Sequence, residues 1–249
     1  MGQVHHLSDM TWREAEELFH SRALALLPVG AVEAHGPHLP LYTDVFLSQE
    51  LCDRLSRALH PKPTIVLPAV NYAVTNYAAE FAGTISLSPN TSRELFADIF
   101  RSLGRHGCEF VALVNSHLEP AHIRVLEEVA MDFIERPHVI FTNHCRKPIA
   151  QRLSPEFQSG DCHAGSYETS LLLATRWAEL VKKDKMKTLP PVKLNLVKQM
   201  KQGVTTFGAM GANDAYFGEP AVSSPEHGEI LWQTLIEIWT DAIKAEMGS

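Results

Sequence analysis

Apolar and polar positions alternate in blocks along this chain, and the period inside each block separates helix from strand. Residues 91–105 carry Leu95, Phe96, Ile99, Phe100 and Leu103 at helical spacing, which predicts an amphipathic helix. Residues 11–22 set Leu18 and Phe19 among Glu14, Glu16 and Glu17, a second helix of the same kind. Further helices are predicted over 47–59, 122–134, 168–181 and 225–245. Short apolar runs at 23–29, 64–67, 110–114 and 138–142 read as buried strands. Strand and helix therefore alternate at the spacing of βαβ units. This predicts an α/β fold, a mostly parallel sheet with helices on both faces.

No internal repeat, low-complexity stretch or linker interrupts this order. Pro61, Pro63, Pro190 and Pro191 mark loops, so residues 1–249 read as a single domain. In open parallel sheets, ligands sit beyond the carboxyl ends of the strands. Three polar clusters occupy such positions. Glu33, His35 and Asp44 follow the strand ending at Val29. Asn115, His117 and Glu119 follow the strand ending at Val114. Asp161 and His163 precede the helix that begins near Glu168. Three clusters far apart in sequence are thus expected to meet at one rim.

Composition narrows the chemistry. The 249 residues are 45% hydrophobic, enough for a full core, and the net charge is −7 without a basic run. A nucleic-acid partner is therefore not expected. The longest apolar run is too short to cross a bilayer, and the first residues lack an apolar signal core. Cys52, Cys108, Cys145 and Cys162 show no CxxC spacing, so no zinc ribbon or thioredoxin-like motif is present. Scattered cysteines suit a reducing compartment, and a soluble cytoplasmic protein is the expectation.

The segment 28–44 is nearly all Gly, Pro and small apolar residues, which excludes an ordinary helix and isolates its few polar groups. Carboxylate plus imidazole is a ligand set for zinc, manganese or iron(II). Glu33 and His35 are two apart, as are His117 and Glu119, and in extended backbone such pairs point the same way. With Asp44 they make five candidate ligands, one more than a closed tetrahedral zinc site uses. Two divalent ions fit this count better, with Asp44 as the candidate bridge. Glu168 is either a sixth ligand or a helix cap. His163 is placed to shuttle a proton, and Asp161 to orient its ring, hold a substrate N–H, or cap the next helix. Cys162 reads as a buried small hydrophobe rather than a nucleophile. His5, His6, His20, His60 and His106 show no ligand-like partners and read as surface residues. His122 reads as lying on the following helix face.

At these residues the chain resembles the creatininase (creatinine amidohydrolase) family. The stretch from Val29 through Gly30, Glu33, His35, Gly36, Pro37, His38 and Pro40 to Asp44 is similar to the family signature almost residue for residue. Phe81-Ala82-Gly83-Thr84-Ile85-Ser86-Leu87, Asn115-Ser116-His117, Asp161-Cys162-His163-Ala164-Gly165 with Glu168-Thr169-Ser170, and Gly218-Glu219-Pro220 with Glu226-His227-Gly228 resemble its later motifs in order.

The resemblance implies a three-layer α/β/α sandwich and a dinuclear zinc or manganese site. It also implies hydrolysis of a non-peptide C–N bond in a small or cyclic amide by a metal-bridging hydroxide. It assigns Glu33 and His117 mainly to one metal, His35 and Glu119 mainly to the other, Asp44 to both, and proton transfer to His163. Relatives lacking Glu119 lean on the carboxylate that corresponds to Glu168. It also implies a homohexamer.

The departures fall around the substrate. Leu118 stands where creatininase has an aromatic residue, and Thr75-Asn76-Tyr77 replaces a more polar motif, so Leu118 and Tyr77 are the candidate substrate contacts. Trp12, Trp177, Trp232 and Trp239 all fall in predicted helices away from the motifs. The metal ligands are thus intact while the creatinine pocket is altered. Creatinine itself, a formamide or formamidopyrimidine, and a catalytically silent metal-binding relative stand as the alternatives.

Overall fold

The computed structural model describes residues 3–134 and 136–248. Helix α1 (Trp12–His20) leads into strand β1 (Leu24–Val29), then α2 (Thr43–Ala58) and β2 (Thr64–Val66). Helix α3 (Pro89–Arg105), β3 (Phe110–Asn115), α4 (Pro120–Asp132) and β4 (His138–Phe141) follow. Four short helices come next: α5 (Lys147–Ala150), α6 (Pro155–Ser159), α7 (Ser166–Leu173) and α8 (Lys183–Met186). The short α9 (Leu196–Lys201) and the long α10 (Pro225–Met247) complete the order.

The strands form one parallel sheet in the order β2-β1-β3-β4. All six residues of β1, Leu-Ala-Leu-Leu-Pro-Val, are buried, as a central strand covered on both faces requires. Their alternation divides the core in two. Leu24 and Leu26, with Ala112, Val114 and Ile140, pack beneath α2, α7 and α10, where Trp232 and Trp239 fill the layer. Ala25, Leu27 and Val29, with Val111, Leu113 and Val139, pack beneath α1, α3 and α4, against Phe19, Phe96 and Phe100. The three-layer α/β/α architecture follows from this period-two division of apolar residues.

Local chemistry explains most helix starts. Thr11 and Glu14 form a reciprocal capping box at α1. Ser88 caps α3 and Ser224 caps α10, each followed by Pro at the first helical position. Two helices differ from expectation. Helix α2 begins at Thr43 rather than near residue 47, which brings Asp44 out of the preceding loop and into the first turn. Helix α7 ends at Leu173 rather than near 181. Beyond it, the Thr175 hydroxyl bonds back to the Leu172 carbonyl. Trp177 stacks on Phe46 with centroids 4.5 Å apart, and Arg176 reaches Asp53 at 3.0 Å. These contacts draw the chain off the helical path, so Trp177 lies in a turn and not in a helix. Among the described residues, no helix is long and apolar enough to cross a membrane.

His144, just past β4, is buried with its Nε2 unpaired and its ring edge-on to Trp239. Burial pushes its pKa down to about 4. Between that value and the ordinary ~6.5, the unfolded chain binds a proton that the folded chain refuses. Stability is therefore fully retained above about pH 6.5 and falls toward pH 4, by about 3 kcal/mol from this residue. His144→Leu is expected to flatten the acid limb of stability, read by urea unfolding at pH 5 and pH 7. An unchanged slope would contradict the assignment.

Candidate active site

The carboxyl ends of β1 and β3 bring the polar clusters together. After β1 the chain folds back on itself: Glu33 donates its N–H to the Leu41 carbonyl at 3.0 Å, and Gly36, at a φ of 66°, donates to Ala215 at 2.8 Å. The loop then runs directly into α2, whose N-terminal dipole favours the carboxylate of Asp44. Gly30 makes this approach possible. A Cβ there would sit 2.6 Å from the Val45 nitrogen and 2.7 Å from the Asp44 carbonyl carbon. Past β3, the Asn115 side chain donates to the His117 carbonyl at 2.6 Å and accepts from its N–H at 3.2 Å, which fixes the turn.

Asp44 lies at the centre. Its Oδ1 is 3.0 Å from His35 Nε2, and its Oδ2 is 3.1 Å from His117 Nδ1. Glu33 Oε1 is 3.2 Å from His117 Nδ1, and Glu168 Oε2 is 3.6 Å from His35 Nε2. Two compact donor groups result, Glu33–Asp44–His117 and His35–Asp44–Glu168, each with ligand atoms within 4.8 Å of one another and sharing Asp44. A third group joins Glu33 and His35 to His163. All these residues are buried except His163, which is partly so.

Each imidazole is turned by a main-chain carbonyl. His35 Nδ1 bonds the Glu33 carbonyl at 3.1 Å, His117 Nε2 the Val74 carbonyl at 2.9 Å, and His163 Nε2 the Ala34 carbonyl at 2.9 Å. With the outer nitrogen able to donate to a carbonyl, the inner nitrogen is free to turn a lone pair to a cation, the pattern of metal-ligating histidines. Glu33 Oε2 also accepts from the Thr75 hydroxyl. Glu119 Oε1 is buried and accepts no hydrogen bond, and no well-aligned donor meets buried Asp44 Oδ2, although His117 Nδ1 lies 3.1 Å away. Buried carboxylate oxygens without donors fit a bound cation.

The electrostatics agree. Burial opposes charge on His35 and His117, yet the carboxylates outweigh it. His35 is lifted to about 10 by Asp44, Glu168 and Glu33, and His117 rises well above its ordinary value beside Glu33 and Asp44. Glu33 and Asp44 are held low despite burial, chiefly by His117 and His35 respectively. Burial raises Glu168 to about 8 and Glu119 to about 7. Among the described residues lining this cavity, none is Lys or Arg. The positive charge that the carboxylates demand therefore comes from imidazole protons or from a cation.

Other expected residues fall differently. Glu168 reaches back to the Ala164 N–H at 2.6 Å as well as toward His35, so it both braces the start of α7 and joins the cluster. Glu119 lies on the cavity wall outside the three donor groups, its Oε2 accepting from the Tyr77 N–H at 3.1 Å. Asp161 does not face His163. Its carboxylate accepts the N–H groups of Asn195 at 3.3 Å and Leu196 at 3.1 Å. Two backbone amides of a segment more than thirty residues away claim the Asp161 carboxylate, a contact that local i, i+2 spacing does not reveal. His163 instead stacks on Phe207, with centroids 4.6 Å apart, and burial and nearby His35 push it down to about 4.

His122 lies on α4 as expected, and its ring is buried and bonds Asn115 at 3.1 Å. His6 lies 3.4 Å from Asp53. Cys162 is buried and its thiol is pushed up by burial, a poor nucleophile. Leu118 and Tyr77 both line the cavity, joined by Leu196, Val197 and Met200 of α9. The sequence signal for that last wall was an apolar i, i+4 pair within a Lys-rich stretch.

An open parallel sheet carries this cluster at its carboxyl rim, the place where such sheets bind their ligands. The chain belongs to the creatininase family: the family profile described as creatinine amidohydrolase matches residues 8–243. It is similar to the creatinine amidohydrolase of Pseudomonas putida, with 28% identity over 264 residues covering 99% of this chain and 98% of the relative. It is also similar to the mycofactocin precursor peptide peptidase of Mycolicibacterium smegmatis, with 26% identity over 231 residues covering 89% and 84%. Among solved structures, a manganese creatininase aligns with a TM-score of 0.73 and 26% identity over 98% of this chain and 99% of that one. A mutant creatininase of zinc–zinc type gives the same score, identity and coverage.

Gly30→Ala is expected to displace the first turn of α2 and with it Asp44. Affinity for added Mn2+ or Zn2+, measured by titration calorimetry, is expected to fall by roughly 10–100-fold, the usual effect of disturbing a ligand's support. An unaltered affinity would show that Asp44 needs no such close approach.

Proposed function

We propose that this protein hydrolyses a C–N bond of a small amide at a site for two divalent cations, zinc or manganese. The observation that carries this reading is Asp44, whose two oxygens face two different histidines and belong to two donor groups. Glu33 and His117 would hold one cation, His35 and Glu168 the other, with Asp44 shared. Mixed carboxylate and imidazole donors accept either metal. Such cations supply Lewis acidity toward a carbonyl oxygen and lower the pKa of a water.

The chain's own groups complete the chemistry. His163 keeps its Nε2 proton on the Ala34 carbonyl and presents Nδ1 toward Glu33 Oε1, 3.7 Å away. Nδ1 can therefore take a proton from the attacking water and return it to the leaving nitrogen. Phe207 against the ring keeps it in that plane and excludes water from one side. Glu119 stands on the wall as a further carboxylate. Creatinine is disfavoured as the substrate because no Trp is found among the described lining residues, and Leu118 replaces an aromatic residue.

Metal analysis by plasma mass spectrometry on protein purified without chelator is expected to find about two ions per chain. Asp44→Ala should lose both and Glu33→Ala at least one. Turnover of small amides should fall at least about 100-fold in each variant. Wild type that stays metal-free after refilling with zinc or manganese would overturn the proposal.

A further inference from the structure

The cavity above the cluster, about 230 Å³, has two unlike halves. Its floor is the carboxylate and imidazole cluster. The rest of its lining includes the apolar side chains of Leu118, Phe157, Leu196, Val197, Met200 and Phe207. The wall is built rather than incidental. Asn195, at a φ of 50°, caps α9 by accepting the Lys198 N–H at 3.1 Å. Asp161 holds the two amides at 195 and 196. Gly160 lets Val197 close in, since a Cβ there would lie 2.8 Å from Val197 Cγ2. Three devices thus turn the apolar side of a short, otherwise Lys-bearing helix inward. Phe207 continues the same surface to His163 and Tyr77.

We infer that α9 and Phe207 form an acyl-arm subsite, and that the amide taken here is uncharged and carries an aliphatic or aryl arm. An anionic arm along this wall would meet no Lys or Arg among the described lining residues. A strongly polar arm would lose its water against Leu196 and Met200 without replacement partners. Asp161 is a positioning residue for this wall and does not touch the reacting atoms. The inference rests on the hydrolase reading for the site's purpose, while the wall's preference can be measured without turnover.

Methyl ketones mimic amides but cannot be hydrolysed. Dissociation constants of acetone, butanone, methyl propyl ketone and methyl butyl ketone for the metal-containing protein are to be measured by saturation-transfer NMR. Each added methylene is expected to tighten binding roughly fourfold. Val197→Asp, at an exposed side chain that folding does not need, is expected to weaken methyl butyl ketone about tenfold or more and leave acetone unchanged. Among amides that turn over, succinamate should lag butyramide at least about tenfold in kcat/KM.

A flat ketone series, or a Val197→Asp variant that binds the long ketone like wild type, overturns the subsite whatever the turnover. A rising series with no hydrolysis of any amide leaves the subsite standing and overturns the hydrolase reading instead.

Discussion

Four carboxylates crowd one rim of the sheet with no Lys or Arg among the described lining residues, and the site is organised by the need to balance that charge. Glu33, Asp44, Glu119 and Glu168 are each buried, where an uncompensated negative charge costs several kcal/mol. Among the described lining residues, imidazoles are the groups able to offer positive charge, and the pKa values of His35 and His117 rise accordingly. A divalent ion would serve the same need with two charges at one point and would release those protons. The fold tolerates this concentration of like charge because the carboxylates come from separate elements, each anchored by its own backbone.

The sheet supplies the anchoring. Period-two alternation in β1 and β3 sends apolar side chains into two layers and leaves the strands rigid on both faces. Polar residues just past Val29 and Asn115 then emerge at adjacent strand ends, because β1 and β3 are paired in register. The third contributor, His163 and Glu168, arrives from the far side through α7, which packs against α10 and α2. Residues more than a hundred positions apart become neighbours through the packing of those two layers.

Much of this was legible in the sequence, for identifiable reasons. The strands and long helices have clean periodicity, and the Gly- and Pro-rich run around Glu33 and His35 could be nothing but a shaped loop. What was hidden depends on tertiary contact. The early start of α2 was masked because Tyr42-Thr43-Asp44 offers no side-chain cap. The early end of α7 comes from Trp177 stacking on Phe46, a contact between residues far apart in the chain. Asp161 reads as a partner of His163 from spacing alone, but its carboxylate is taken by the amides of Asn195 and Leu196, a contact between segments far apart in the chain. The wall made by α9 is not legible in the sequence because a six-residue helix carries little period of its own.

The three imidazoles take their orientation from the carbonyls of Glu33, Ala34 and Val74. A main-chain oxygen is present whatever side chain the residue bears, so substitution around the rings leaves their aim intact. The wall across the cavity hangs from a different segment, tied down largely through one carboxylate at Asp161. Reactivity and selectivity are therefore carried on separable parts of the polypeptide. New substrates are open to descendants of such a chain through drift in residues 196–200, with the inherited chemistry left untouched.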